Sequence, residues 1–415
     1  MMMQNLTIIL YVSFMVTVVS GYKNKSAGYM LYKYLMVDQE YSPNVRPAVN
    51  NSNPTTVNVG LKLVSMVNFD EVSETLTITA KLKLVWTDDY LTWDPKDYNG
   101  LQSISIPQYN IWKPDVALEN SVESYHDLGG KNMYVAVRYD GRVQWKPINV
   151  FRSSCSADVT KYPVDVQTCC LDFEAWSHSK GSVRITNSSD HVFLHAEYDG
   201  HPQWQITQSS AETRFIGDNY YVIFCLLLKR QSQYLLLNII LPISLLSLLN
   251  SCVFFLPASC GEKASFSVTV FLSLSVFLTI VSEQLPHTSD NVSIFNLYVF
   301  IQLIISTIVT MTALIQIRLF HRDDTRKVPD WLRKFLKSIG LLGKQTSDRT
   351  RKDAEESETN NIDQTSKVTK ENFPENDQNV TWKRIAECMD PLLFVGYSCL
   401  NIVCTLVLAF CIVNA

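Results

Sequence analysis

The stretch Gly261-Glu-Lys-Ala-Ser-Phe-Ser-Val-Thr-Val-Phe-Leu-Ser-Leu-Ser-Val-Phe-Leu-Thr-Ile-Val-Ser-Glu-Gln-Leu-Pro286 decides how the chain is to be read. Between Lys263 and Glu283 lie 19 residues without a charge. A helix needs about that many, at ~1.5 Å each, to cross a hydrocarbon core of roughly 30 Å. Seven of the 19 are Ser or Thr. Alternate steps of three and four from Glu262 reach Ser265, Thr269, Leu272, Val276, Thr279 and Glu283, one stripe on a helix. Phe266, Val270, Phe277 and Ile280 fall elsewhere on the wheel, free to face lipid or other helices.

A carboxylate at membrane depth is costly unless it faces water, so two acids closing one polar stripe point to an aqueous path. Hydroxyls in such helices also bond back to carbonyls four residues earlier. That account suits Ser273 and Ser275, which lie off the stripe, and leaves the two acids unexplained.

Three further apolar stretches have membrane length, so spans are expected at 234–255, 263–285, 295–319 and 391–413. His321, Arg322, Arg326, Lys327, Arg333, Lys334 and Lys337 follow the third, and the positive-inside rule makes that segment cytoplasmic. An even number of spans returns the C-terminus to the outside. Residues 1–20 read as a secretory signal peptide without the usual basic start. The inner segment, 320–390, carries an amphipathic helix at 329–339, with Trp331, Leu332, Phe335, Leu336 and Ile339 opposite Arg333, Lys334 and Lys337. A polar linker at 346–378 is expected to be disordered, and a helix from 381 to lead into the last span. The net charge of −4 decides little.

Residues 21–230 read as one all-β sandwich of Ig-like type preceded by a short helix at 28–37. The clearest strand alternates Leu76, Ile78, Ala80, Leu82, Leu84 and Trp86 with Thr75, Thr77, Thr79, Lys81 and Lys83. Tyr139-Asp140-Gly141-Arg142 marks a tight hairpin. Asn24, Asn50 and Asn187 open glycosylation sequons. Of ten cysteines, only Cys155, Cys169, Cys170 and Cys225 precede the first span, in the compartment where disulfides persist. His191, His195 and His201 with Glu197 read as surface residues, and no metal site is assigned.

Cys155 and Cys169 enclose thirteen residues that include Tyr162-Pro163-Val164-Asp165. With Val45-Arg46-Pro47, Trp86-Thr87-Asp88, Trp112-Lys113-Pro114-Asp115, Gly261-Glu262-Lys263 and Leu285-Pro286-His287, the chain resembles the Cys-loop pentameric ligand-gated ion channels, most closely their nicotinic branch. The resemblance implies five subunits around a cation pore and an extracellular small-molecule ligand held between subunits. It also implies a Cys155–Cys169 disulfide, because geometry alone leaves Cys155 a choice between Cys169 and Cys170. Cys170 and Cys225 are then free or joined to each other.

By the same resemblance Trp176 takes the central place in an aromatic ligand box, with Phe215, Tyr220 and Tyr221 from a hairpin. Glu119 stands where the family has Tyr, and Lys81 where it has Trp on the opposite subunit face. The hairpin lacks the adjacent cysteine pair of acetylcholine-binding subunits. Arg230 takes the place of a buried gating arginine paired with acids, with Asp70 and Glu71 expected near it, and Pro163, Asp165 and Pro286 on the coupling path. Pro242 suggests a kink in the first span.

The expectation is therefore a cation-selective channel subunit of the plasma membrane, passing sodium and potassium, with calcium left open. Acetylcholine is expected to be an inefficient agonist of a homopentamer. The rival reading is an accessory subunit that assembles with others without an agonist site of its own. No phosphate loop, nucleophile with its base or closed metal motif appears, so no enzyme, cofactor or nucleic-acid partner is expected.

Overall fold

The computed structural model describes residues 25–286, 292–323, 328–329 and 381–414. The expected signal peptide, Asn24, the amphipathic helix, the polar linker and His287 lie outside them. The described chain divides into two compact units. Of the described residues, one comprises those up to 158 together with 165–231, and the other 159–164 together with those from 232 onward.

The first unit is a β-sandwich with an N-terminal helix, α1 (Ala27–Lys33), capped by Ser26 and continued as a wider turn over Tyr34–Asp38. Its strands are β1 (Thr55–Asp70), β2 (Thr75–Thr92), β3 (Ser103–Pro107), β4 (Val116–Leu118), β5 (Tyr134–Arg138), β6 (Asp140–Trp145) and β7 (Ile148–Ser154). They continue as β8 (Val166–Ala175), β9 (Val183–Asn187), β10 (Phe193–Leu194), β11 (Trp204–Ile216) and β12 (Asn219–Arg230). One sheet runs β10-β1-β2-β6-β5-β3, with β7 also on β2 and β9 on β1; the other runs β11-β12-β8-β4.

The alternation read in the sequence is the burial pattern of β2, whose Leu76, Ile78, Ala80, Leu82 and Leu84 are fully buried. The Tyr139 hairpin turns on Gly141 at φ 77°, a conformation that costs glycine little. Aromatic rings fill the space between the sheets. Phe69 meets Trp204 at 5.3 Å, and Phe173 meets Phe151 at 5.3 Å and Phe224 at 5.9 Å, all edge-on, the favoured contact of two quadrupoles.

Both disulfides form. Cys155 joins Cys169, and Cys170 joins Cys225, its register partner on β12. Adjacent strand residues point to opposite faces, so Cys169 turns inward, fully buried, while Cys170 turns away toward Cys225.

Among its described residues, the second unit contains four helices long and apolar enough to cross a membrane: Gln233–Phe255, Glu262–Glu283, Ile294–Phe320 and Trp382–Val413. In the first span a wide π-type turn, Leu236–Ile240, precedes Pro242 and absorbs the missing N–H. Residues 382–390 and the fourth span are one helix with Pro391 inside it. Buried and half-buried polar contacts tie the helices together, because hydrocarbon offers a polar group no other partner. Asn401 donates to the Ser247 carbonyl at 2.9 Å and to Ser251 Oγ at 3.0 Å. Tyr298 meets Thr405 at 3.2 Å, and Thr312 meets Tyr397 at 3.1 Å.

Candidate functional site

In the sandwich, the Trp112-Lys113-Pro114-Asp115 run builds the platform for Trp176. The Asp115 carbonyl accepts from Trp176 N at 3.1 Å, and its carboxylate accepts from Ser177 N. Trp112 stacks on His178 and meets Trp86 edge-on, each at 6.0 Å. Tyr41 locks this platform, donating to Asp88 Oδ2 at 2.7 Å and accepting from Trp112 N at 3.1 Å. Burial pushes the Asp88 carboxyl up to about 6.

Held so, Trp176 is 60% exposed and its open neighbour is Tyr125, with ring centroids 6.5 Å apart and Tyr125 itself 53% exposed. Together with Glu119, Glu123, His126 and Arg152 they line a cavity of about 260 Å³. Arg152 is taken by Glu123 at 2.7 Å. Backbone pairing of Glu119 N to the Asp172 carbonyl, 2.8 Å, sets Glu119 beside two more acids. Partial burial, then the Glu174 and Asp172 carboxylates, hold Glu119 above the usual range. Burial and a hydrogen bond to Glu174 push the Tyr221 hydroxyl up to about 12. The face around Trp176 is thus acidic where an aromatic box was expected.

Phe215 and Tyr220 form a cluster of their own. They pair across the hairpin at 5.0 Å, with Lys180 5.4 Å over Phe215 and Arg184 4.7 Å over Tyr220. A cation of the same chain thus lies over one face of each ring. Lys81 stands on β2 opposite Lys62 and Ile148, half-buried, in the other sheet. Tyr125 was missed in the sequence because residues 119–133 carry no periodicity that would mark one side chain.

At the foot of β12, Arg230 is buried among acids and an indole. Its Nε and Nη2 donate to Asp165 at 2.6 and 3.0 Å, Nη1 lies 2.6 Å from Glu71, and Trp204 lies 4.2 Å beneath the guanidinium. Asp70 is not part of this cluster. It caps the β1–β2 turn instead, accepting from Val72 N and Ser73 N at 3.0 and 3.1 Å. A turn of this tightness needs an acceptor for its free N–H groups, and Asp70 is the near one. Of the sequons, Asn50 is exposed, whereas Asn187 Nδ2 already donates to the carbonyls of Ser189 and Ala211.

In the second unit, residues 159–164 carry Tyr162 and Pro163, both buried. Tyr162 donates to Gln284 Oε1 at 3.2 Å and its ring lies 6.2 Å from Phe295, while the Thr160 carbonyl accepts from Ile294 N. Pro286 is buried after the second span. Along that span Glu262, Ser265, Thr269, Leu272, Val276, Thr279 and Glu283 are all exposed on the single chain, and Lys263, Ser267, Val270, Leu274 and Val281 are buried against the bundle. Back-bonding extends onto the stripe itself, since Thr269 and Thr279 donate to the carbonyls of Ser265 and Ser275. Their donors are spent and their acceptor lone pairs face outward.

Among the described residues, twelve sandwich strands followed by four membrane-length helices, with a disulfide loop whose tip belongs to the helical unit, define the class of receptor channels. Residues 29–232 match the neurotransmitter-gated ion-channel ligand binding domain and residues 239–382 the neurotransmitter-gated ion-channel transmembrane region. The chain belongs to the neurotransmitter-gated ion-channel family, which is not an enzyme family. It is 30% identical over 300 residues to the neuronal acetylcholine receptor subunit alpha-6 of Rattus norvegicus, covering 71% of this chain and 60% of that one. The corresponding subunits of Mus musculus and Homo sapiens are 30% identical over 321 residues, 75% of this chain and 65% of each relative. The chain thus spans 60 to 65% of the length of these curated relatives.

Proposed function

We propose that the chain is a subunit of a pentameric, cation-selective channel of the plasma membrane, opened by a small extracellular ligand. The observation that carries this reading is the second span. Seven residues at helical spacing form one exposed stripe on the single chain, with Val268 and Ile280 also exposed beside it, and the first and last of the seven are Glu262 and Glu283. Around an axis, five copies of each form two carboxylate rings that gather sodium and potassium and repel chloride. Leu272 and Val276, 56% and 58% exposed, are the aliphatic pair between the hydroxyls and close the path by dewetting. The basic run after the third span supports a cytoplasmic inner segment, with the sandwich and C-terminus outside. Residues 159–164 are joined covalently to β8 through Asp165, so a movement of that strand on ligand binding is passed to Gln284, Ile294 and Phe295.

The ligand face supports an amine or zwitterion more than a quaternary ammonium. A cation over a ring contributes about 0.5 to 2 kcal/mol, and here Trp176 and Tyr125 are the open rings while Glu119 supplies charge. Acetylcholine is therefore a poor agonist of a channel built from this chain alone. The accessory reading is set aside because one chain carries both the ligand-binding and the transmembrane regions of the family. The test is current from cells expressing this chain alone, screened with amines, amino acids and acetylcholine. An agonist whose response is lost in Trp176→Ala and Glu119→Gln supports the assignment. Micromolar acetylcholine currents that survive Glu119→Gln would refute the ligand assignment.

A further inference from the structure

The second span also carries a charge that the pore does not use. Lys263 follows Glu262, and one residue on a helix is a rotation of about 100°. The rotation sends the neighbours to opposite surroundings: Glu262 is exposed and Lys263 is fully buried. A buried ammonium persists only with a counter-charge and hydrogen bonds. Asp390, in the helix of the fourth span, supplies both. Its Oδ1 accepts from Lys263 Nζ at 2.5 Å and from Gln316 Nε2 at 2.9 Å. Gln316, itself fully buried, also donates to the Ala386 carbonyl at 3.1 Å, and the Phe254 ring centroid lies 5.2 Å from the ammonium. All four spans thus contribute to one polar knot around a single lysine.

We propose that Asp390, on the fourth span and off the pore stripe, is a selectivity-determining positioning residue. It holds the Lys263 charge inside each subunit and leaves Glu262 as the net charge at the pore mouth. The inference rests on the pore assignment above. Five exposed lysines beside five glutamates would cancel the ring, and the span would then lose its preference for cations at that end. Lysine has the means to do this, being a compact ammonium on a flexible four-carbon stem. Without Asp390 the buried site no longer balances its charge, and the side chain finds water on the side of Glu262.

The experiment pairs two readouts on the full chain. In Asp390→Asn channels the cation-to-chloride permeability ratio is expected to fall about tenfold or more, and Asp390→Glu to restore it. The double variant Lys263→Met with Asp390→Leu removes the knot yet keeps the wild-type ratio, which a merely structural role would not allow. Independently, reductive methylation of the receptor in nanodiscs is read by peptide mass spectrometry. Lys263 resists modification in the wild type, against exposed lysines such as Lys229, and reacts in Asp390→Asn. A wild-type Lys263 that labels as fast as Lys229 overturns the proposal, whether or not the variants reach the surface. So does a conducting Asp390→Asn channel with unchanged selectivity. A wild-type current that follows chloride would instead refute the pore assignment, while the labelling result still decides whether Asp390 shields Lys263.

Discussion

Replacing Asp165 by Asn removes one charge from the Arg230 cluster and almost no volume, so its cost can be worked from the contacts. The carboxylate takes two bonds from the guanidinium, at 2.6 and 3.0 Å, and its side chain is 1% exposed. Charge-assisted bonds contribute roughly 1.5 to 3 kcal/mol each. Asparagine keeps one neutral acceptor and Glu71 still faces the guanidinium, so the net loss is about 3 kcal/mol. Glu71→Gln weakens one contact of a side chain that is 19% exposed, and costs about 1 kcal/mol. For a sandwich of this size each kcal/mol moves the midpoint by about 2–4 °C, giving a fall of about 6–12 °C for Asp165→Asn. The assay is thermal unfolding of the detergent-solubilised receptor followed by size-exclusion. Arg230→Met with Asp165→Leu is expected to recover most of the midpoint, because an apolar replacement of a buried pair is often neutral. Equal shifts for Asp165→Asn and Glu71→Gln would refute the assignment of Asp165 as the principal partner.

Leu272→Ser places water-binding groups at the dewetting ring and should give a standing leak at normal surface expression; unchanged closed-state current would locate the gate elsewhere. Asp88, buried with its carboxyl raised to about 6, favours its protonated form in the folded state. The stability it contributes is therefore present near pH 4 and lost as pH rises through 6, by about 3 kcal/mol at 1.36 kcal/mol per unit. Asp88→Asn should flatten that part of the pH–melting curve, and identical curves for the two proteins would contradict the assignment. Serine at both Cys170 and Cys225 opens a 55-residue closure and should cost about 4 kcal/mol on the chain-entropy account. Non-reducing peptide mapping checks the bond directly, with free thiols at both positions as the contrary result.

What could be read in the sequence was what repeats. The β2 alternation and the second-span stripe each follow from one side being wet and the other packed, and a period records that difference. What could not be read was set by contacts between distant residues. Asp390 lies 127 residues from Lys263, and nothing in the local sequence marks it as that lysine's partner. The partner of Cys170 depended on the phase of β8, which the short run Thr168-Cys169-Cys170-Leu171 does not declare. Asp70 and Glu71 are adjacent, and only the turn geometry assigns the first to backbone capping and the second to Arg230. Phe215 and Tyr220 carry the composition of a ligand box, and the cations that lie over one face of each, Lys180 and Arg184, are more than thirty residues away in sequence from those rings.

The central claim is that the exposed stripe of the second span lines a path for cations. It is tested most directly by the reversal potential of the current through this chain when external sodium chloride is diluted tenfold. With Glu262 and Glu283 ringing the pore, the potential is predicted to move negative, toward the limit of about 59 mV for a singly charged ion. A positive shift, following chloride, would contradict the account.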